Sequence, residues 1–153
     1  MYNYILDMLP YKSSFRFVDN ISLLNTDEVI GDFTLEKDAF FYKDHFPGNP
    51  ITPGAIVTEI MAQIGLVVLG IYLMIRSSEE LTDMDKKDDQ LFPLLTSADV
   101  SFYKMVLPEQ KVTVISKKQY FRFGKLKCYV EMVDENKELL AKGMFSGFIK
   151  KLL

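Results

Sequence analysis

The sequence has few of the residues that form disulfides, metal sites or nucleic-acid interfaces. Its 153 residues include one cysteine, Cys128, and one histidine, His45. One cysteine cannot form an internal disulfide, and a distant histidine and cysteine do not supply a transition-metal ligand set. The net charge of −3 also lacks the basic excess that nucleic-acid binding usually needs. We therefore expect no structural disulfide, no bound metal and no nucleic-acid partner.

Targeting and membrane signals are missing as well. The N-terminal stretch MYNYILDMLP has neither the basic region nor the sustained apolar region of a secretory signal. The longest apolar stretch, Ile60–Ile75, is interrupted by Gln63 and two glycines. It falls short of the ~18–20 unbroken apolar residues that a membrane span needs. We predict a cytoplasmic protein with no membrane span.

What the sequence does contain is enough apolar material for one sizeable core. Apolar residues make up 48% of the chain and charged residues 25%, which is ordinary for a globular protein. There is no internal repeat, heptad pattern or glycine- or proline-rich linker. The length fits one domain better than two. We predict a single domain over residues 1–153.

Alternation of apolar and polar residues predicts a mostly antiparallel sheet. The alternation is strict in KLKCYVEM, residues 125–132, which places Cys128 on the buried face of a strand with one wet side. Asn25-Thr26-Asp27 predicts the turn between the first two strands. The predicted strands are Phe15–Leu23, Glu28–Leu35, Leu94–Val106, Lys111–Phe121, Leu126–Val133 and Leu139–Lys150.

One long helix is predicted over about Pro53–Arg76, with Thr52 as its N-cap and Pro53 at the first helical position. It is apolar nearly all round, so in a globular protein other structure must wrap it. Curling the sheet around the helix is the simplest solution. We therefore predict an α+β hot-dog fold, an antiparallel sheet wrapped around one central helix. The acidic segment Ser77–Gln90 is predicted to be a solvated loop.

The segment Asp44–Gln63, DHFPGNPITPGAIVTEIMAQ, carries the residues suited to catalysis. Histidine is the side chain whose unperturbed pKa, ~6.5, suits proton transfer near neutral pH, and His45 is the only one in the chain. Three prolines, at positions 47, 50 and 53, stiffen the loop around it, as a fixed reaction geometry requires. The alternative is that His45 is structural, as isolated histidines often are.

The start of the predicted helix adds two further groups. Its free backbone N–H groups, near Gly54, lie at the positive end of the helix dipole and can receive a carbonyl oxygen that gains charge. Glu59 and Gln63 are four residues apart, hence on one face of an apolar helix. A carboxylate there is costly unless it faces a site or a partner. The alternative is that Glu59 is a surface residue, or pairs with Arg16 or a lysine.

These residues resemble a known family. HFPGNPITPGAIVTEIMAQ, residues 45–63, resembles the active-site motif of the FabZ-type 3-hydroxyacyl-acyl-carrier-protein dehydratases. Leu9–Asp19 is similar to that family's N-terminal LPHRYPFLLVD element, and Ala98–Pro108 is similar to one of its later strands. The resemblance covers most of the chain.

The resemblance implies a hot-dog homodimer, or a higher oligomer of dimers, with catalytic sites at the dimer interface. His45 corresponds to the catalytic base, and Glu59 to the acid, which reaches the site from the other subunit. Gly54 corresponds to the donor to the thioester carbonyl, Gln63 orients its neighbours, and Phe46 in the same motif is an expected substrate-binding position. No cofactor is implied beyond the phosphopantetheine of the acyl carrier protein, which brings the substrate.

The implied enzyme is a hydro-lyase that converts 3-hydroxyacyl to trans-2-enoyl thioesters in fatty-acid, polyketide or polyene synthesis. The family's usual residues are replaced at Tyr11 (histidine in the family) and Asp44 (glycine), and Ser13 and Ser14 break its pattern, which suggests a specialised relative. The alternatives are a dehydratase-isomerase, a hot-dog thioesterase and a non-catalytic carrier-binding or assembly subunit. An acidic carrier calls for a basic surface, for which the candidates are Lys117, Lys118, Arg122, Lys125 and Lys127.

Overall fold

The hydrophobic patterns become six strands and one long helix in the computed structural model, which describes residues 2–77 and 91–151. A short helix α1, Asn3–Asp7, comes first, and the long helix α2 spans Gly54–Ser77. The predicted loop at Ser77–Gln90 lies almost wholly outside the described residues. The strands are β1 Asn20–Leu24, β2 Glu28–Thr34, β3 Leu91–Phe102, β4 Lys111–Arg122, β5 Lys125–Val133 and β6 Leu139–Lys151.

The strands form one antiparallel sheet in the order β1-β2-β4-β5-β6-β3. Its inner face carries the apolar half of each alternating strand, including Cys128, which is fully buried. Helix α2 lies against β2, β4, β5 and β6, and its first turns also contact β3. The predicted hot-dog architecture is confirmed, because the sheet curls around the one helix that needs covering.

The middle turns of α2 lie so close to the sheet that only small groups fit between them. These turns, Gln63–Val68, are π-helical. A β-carbon on Gly65 would come within 2.9 Å of the Val130 side chain, so glycine is required at this approach. The hydroxyl of Ser116, fully buried on β4, donates a 2.7 Å hydrogen bond to the Gly65 carbonyl. A polar contact therefore joins helix and sheet inside an apolar core.

By length and composition alone, α2 could cross a membrane, which the prediction from unbroken apolar residues did not anticipate. However, 78% of its most apolar window is buried within the protein. Burial by the sheet accounts for its all-round apolar character, as expected of a core helix.

The predicted start of α2 was wrong by one residue. Pro53 is the N-cap and Gly54 the first helical residue, and no side chain caps the helix. Thr52 is buried instead, with its hydroxyl 2.6 Å from the Tyr42 hydroxyl and its N–H donating to the Val106 carbonyl. The Thr52 side chain, which the local sequence predicts to cap α2, therefore makes tertiary contacts instead.

The first strand was also predicted too long. Residues Ser13–Phe15 form a 3-10 turn, and β1 begins only at Asn20. The backbone of Phe15 and Phe17 bonds to the side chain of Gln63 rather than to another strand. The predicted turn at Asn25 is confirmed, because its side-chain oxygen accepts hydrogen bonds from the N–H groups of Asp27 and Glu28.

The prediction placed both ends of β3 too late in the sequence. The strand ends at Phe102 rather than Val106, because the chain then turns away from the sheet. Val106 is buried, and its carbonyl receives the Thr52 N–H just before α2.

The Ser116 hydroxyl provides a test of how closely helix and sheet are joined. Ser116→Ala leaves the Gly65 carbonyl without its partner from β4, and the expected cost is about 1–3 kcal/mol of the free energy of unfolding. Urea denaturation measures it. The matched control is Ser22→Ala, whose exposed hydroxyl makes a 3.3 Å bond to the Ile30 carbonyl and whose loss should cost less than about 0.5 kcal/mol. Equal losses in both variants would contradict a special role for the buried contact.

Candidate active site

The loop that carries His45 is closed by its own backbone. The Ile51 N–H donates to the His45 carbonyl at 3.0 Å, and Phe46 and Asn49 exchange N–H to carbonyl bonds at 3.1 and 2.9 Å. The peptide bond between His45 and Phe46 is cis. These closures fix the loop around His45, as the proline spacing predicted.

The His45 ring is held in one orientation. Its Nδ1 lies 2.8 Å from the Ile51 carbonyl oxygen. Because a carbonyl oxygen only accepts, Nδ1 carries the ring hydrogen, and Nε2 keeps a free lone pair. The Phe46 ring stacks on the imidazole at a centroid distance of 4.1 Å and is itself half exposed. The partly exposed imidazole can therefore accept a proton at Nε2.

The N-terminus of α2 presents exposed backbone donors. The N–H groups of Ile56 and Val57 bond to the Pro53 carbonyl, whereas Gly54 and Ala55 are exposed and precede any intrahelical acceptor. A β-carbon on Gly54 would lie 3.4 Å from the Phe102 ring. Phe102 was not among the predicted site residues, although it crosses the space in front of this N-terminus.

Gln63 holds Glu59 and the N-terminal segment together. Its Nε2 donates to Glu59 Oε1 at 3.0 Å and to the Phe15 carbonyl at 2.9 Å, while its Oε1 accepts the Phe17 N–H at 2.8 Å. The Gln63 side chain is fully buried. It thus orients Glu59 and also closes the segment before β1 onto α2.

Glu59 lines an otherwise largely apolar cavity of about 120 Å³ between α2, β3 and β6. Tyr11 is the second polar side chain there; burial, and then the nearby charge of Glu59, raises the pKa of its phenol above the usual 10. His45 is not among the lining residues. The structure therefore brings Glu59 to Gln63 and Tyr11, but does not place His45 in the same cavity. The apolar lining is Ala62, Leu66, Val67, Gly70, Pro93, Leu94, Leu95, Leu126, Gly147, Phe148 and Ile149.

Metal and thiol chemistry have little support in the part of the chain that the structure describes. Within residues 2–77 and 91–151 there is no cluster of three histidine, cysteine or carboxylate side chains that could hold a metal ion. The Cys128 thiol is buried, which raises its pKa to about 11. A protonated, inaccessible thiol is a core residue rather than a nucleophile.

Comparison with known proteins identifies the class to which this fold and site belong. The family model of the FabA-like domain matches residues 9–137, which include the His45 loop, Glu59 and most of the sheet. The chain belongs to the FabA-like family.

FabZ dehydratases are among the curated relatives of this chain. The 3-hydroxyacyl-[acyl-carrier-protein] dehydratase FabZ of Caldicellulosiruptor saccharolyticus is 33% identical over 135 residues, covering 83% of this chain and 86% of the relative. The FabZ of Lactobacillus helveticus is 27% identical over 136 residues, with 86% and 82% covered. The resemblance of the central motif to the FabZ type is thereby confirmed.

Solved structures confirm the hot-dog fold. The dehydratase heterocomplex ApeI:P from Xenorhabdus doucetiae superposes with a TM-score of 0.71 at 12% identity, over 95% of this chain and 90% of that one. A hypothetical thioesterase from Streptococcus pneumoniae, solved with coenzyme A, gives 0.62 at 12% identity, over 99% and 98%. At such identities the likeness concerns the fold alone.

The contacts of Gln63 predict a large loss of stability on its replacement. Gln63→Met keeps the length of the side chain but leaves the Phe17 N–H and Phe15 carbonyl without partners, which should cost about 2–4 kcal/mol of unfolding free energy. Gln119→Met is the control, since the exposed Gln119 makes only a 3.5 Å contact with the Lys117 carbonyl and its loss should cost less than about 0.5 kcal/mol. Urea unfolding of both variants measures the two losses of stability. Indistinguishable midpoints would contradict the role assigned to Gln63.

Proposed function

We propose that this protein is a cytoplasmic, single-domain enzyme that dehydrates 3-hydroxyacyl thioesters, carried by acyl carrier protein, to trans-2-enoyl thioesters. The observation that carries the proposal is the hydrogen bond that orients the His45 ring. A hydrogen bond from Nδ1 to the Ile51 carbonyl leaves Nε2 as a base on a fixed loop. This base lies in the segment whose sequence resembles the FabZ active-site motif, and FabZ dehydratases are relatives of this chain. No cofactor takes part beyond the carrier's phosphopantetheine.

The proposed reaction needs one base, one acid and one donor to the carbonyl. The thioester carbonyl accepts a hydrogen bond from the Gly54 N–H, and Phe46 and Phe102 flank the bound substrate. Nε2 of His45 removes a proton from C2, and the carbonyl oxygen gains negative charge next to the helix N-terminus. Glu59 gives its proton to the C3 hydroxyl, which leaves as water while the C2–C3 double bond forms.

The open edge of the sheet supports a dimer. Strand β3 has twelve residues and lies at one end of the sheet; no strand within residues 2–77 and 91–151 pairs with its outer edge, and such an edge invites a further strand. Large apolar side chains on and after it are about half exposed, and the face of β3 that should meet the core is left partly open. A second copy of this chain, placed along β3, would cover both. The exposed side chains are Leu94, Leu95, Phe102, Tyr103, Met105 and Leu107.

A dimer formed along β3 also explains why Glu59 and His45 lie apart in one chain. The cavity of Glu59 opens between α2 and the same strand β3. Gly54 lies close to Phe102, at the other end of that strand. We propose that each site combines His45 and Gly54 of one subunit with the partner subunit's Glu59. Larger assemblies of such dimers are compatible with this arrangement.

The basic candidates for the carrier surface divide between two faces. Lys117, Arg122, Lys125 and Lys127 have outward positions on β4 and β5, whereas Lys118 shares the inward register of Cys128 and pairs with Asp27. Lys125 lies over the Phe148 ring, 5.7 Å from its centroid. Because Phe148 also lines the Glu59 cavity, we propose that an acidic carrier docks near Arg122 and Lys125.

The same assays distinguish two alternative functions from the proposed one. A dehydratase-isomerase would give a shifted double bond besides the trans-2-enoyl product, although that group resembles this chain less because it carries aspartate at the acid position. A non-catalytic assembly subunit would give no turnover; the ApeI:P heterocomplex is a dehydratase of two named parts. A substrate series of saturated, aromatic and polyene thioesters tests whether the departures at Tyr11 and Asp44 reflect a specialised pathway.

Turnover of a short trans-2-enoyl thioester, followed by the loss of its absorbance on hydration, tests the proposal. His45→Ala and Glu59→Gln should each lower kcat by about 10²- to 10⁴-fold, since each removes one proton-transfer group. Glu135→Gln, in an exposed turn, is the control and should retain wild-type activity. Wild-type rates in the His45 and Glu59 variants would refute the proposed roles.

Charge reversal on the outer sheet face tests the carrier surface. Arg122→Glu and Lys125→Glu should raise KM for the carrier-bound substrate by about 10-fold at low salt, with a smaller effect at high salt. KM for the pantetheine-bound substrate should not change. Lys111→Glu, at the opposite end of β4, is the matched control. An equal rise of KM for both substrates would contradict docking at this surface.

A further inference from the structure

Tyr11 and the proposed acid, Glu59, line the same largely apolar cavity. Among the lining residues of that cavity, all within the described part of the chain, Tyr11 and Glu59 are the only titratable side chains. The structure records no hydrogen bond to the Tyr11 hydroxyl from any described residue, although the ring is partly buried. Among the described residues no buried polar side-chain atom lacks a partner, so the Tyr11 hydroxyl is reached by solvent in this cavity, where Glu59 is the one carboxylate among the lining residues.

The position of Tyr11 relative to Glu59 is set by Gln63. One amide binds the Phe15 carbonyl, the Phe17 N–H and Glu59 Oε1 together. The Tyr11 ring in turn lies 6.4 Å from the Phe15 ring, centroid to centroid. Gln63 therefore contacts Glu59 directly, and it contacts Phe15, whose ring packs near Tyr11.

The Tyr11 hydroxyl is suited to donate a hydrogen bond because it stays protonated. Burial raises the pKa of the phenol, and the charge of Glu59 adds to this rise. The hydroxyl keeps its hydrogen throughout the neutral range.

We propose that Tyr11 is a positioning residue for Glu59: its hydroxyl, which makes no hydrogen bond to a described residue in this structure, donates one to Oε2, the oxygen that Gln63 does not contact, as charge develops on the carboxylate. This inference rests on the proposed dehydration. When Glu59 gives its proton to the leaving hydroxyl, negative charge develops on the carboxylate. Tyr11 and Gln63 then stabilise it with one donor each, which makes Glu59 a more effective acid in an apolar cavity.

The first experiment does not depend on turnover. The Cζ resonance of Tyr11 in protein labelled with ¹³C-tyrosine is assigned through Tyr11→Phe and recorded at neutral pH with and without Glu59→Gln. We expect Glu59→Gln to shift the Tyr11 resonance and to leave that of Tyr129 in place, because Tyr129 bonds to Glu131 on the outer face. A Tyr11 resonance unchanged by Glu59→Gln would overturn the inference, even if the wild-type enzyme is active.

The second experiment separates positioning from a merely structural contact. Tyr11→Phe should lower kcat about 10- to 100-fold, the effect of one hydrogen bond to a charged group, with little change in KM. The alkaline limb of its pH profile should move to higher pH, since the acid is weakened. Tyr11→His restores a donor and should recover most of the loss, whereas Tyr129→Phe should behave as wild type.

The kinetic outcomes are distinguishable from failure of the proposed function. An inactive wild-type protein would refute the dehydration, and the resonance experiment would still decide whether Tyr11 contacts Glu59. An active wild type with unchanged kcat and pH profile in Tyr11→Phe would overturn the role of Tyr11 alone. An equal loss in Tyr11→Phe and Tyr11→His, with a lowered thermal midpoint in both, would also overturn it in favour of a packing role.

Discussion

The Gln63 amide lies fully buried where α2, the segment before β1 and the Glu59 side chain meet. Its oxygen and nitrogen make three hydrogen bonds, two to backbone groups 46 and 48 residues away in sequence and one to Glu59. A buried amide without these partners would destabilise the core, so its geometry is strongly constrained. The same constraint fixes the N-terminal segment on the helix and orients the carboxylate, which links the stability of the fold to the geometry of the proposed acid.

The second constraint is the surface that a single chain leaves open. All strands from β2 to β6 contact α2, but β3, at the end of the sheet, carries exposed apolar side chains. The cavity of Glu59 and the free N–H groups of the α2 N-terminus both lie next to this strand. An arrangement in which a second chain completes both the core and the site accounts for these features with one contact.

Much of this could be predicted from the sequence because the signals were local. The all-round apolar helix and the alternating strands predicted the wrapped sheet, and the spacing of Glu59 and Gln63 placed them on one helix face, where they form a hydrogen bond. The errors arose where residues far apart in the sequence form hydrogen bonds with each other. Gln63 bonds to the backbone that was expected to extend β1, and Tyr42 bonds to the residue expected to cap α2. The place of Tyr11 beside Glu59 depends on a fold-level contact that no local pattern encodes.

Active-site complementation tests most directly whether each site is built from two chains. His45→Ala and Glu59→Gln proteins, each inactive alone, are unfolded together, refolded as a mixture and assayed. In a symmetric dimer with shared sites, half of the molecules are mixed, and each mixed dimer holds one intact pair of His45 and Glu59, so about a quarter of the wild-type activity should return. If His45 and Glu59 of the same chain act together, every site keeps one defect, and no recovery of activity in the mixture would contradict the account.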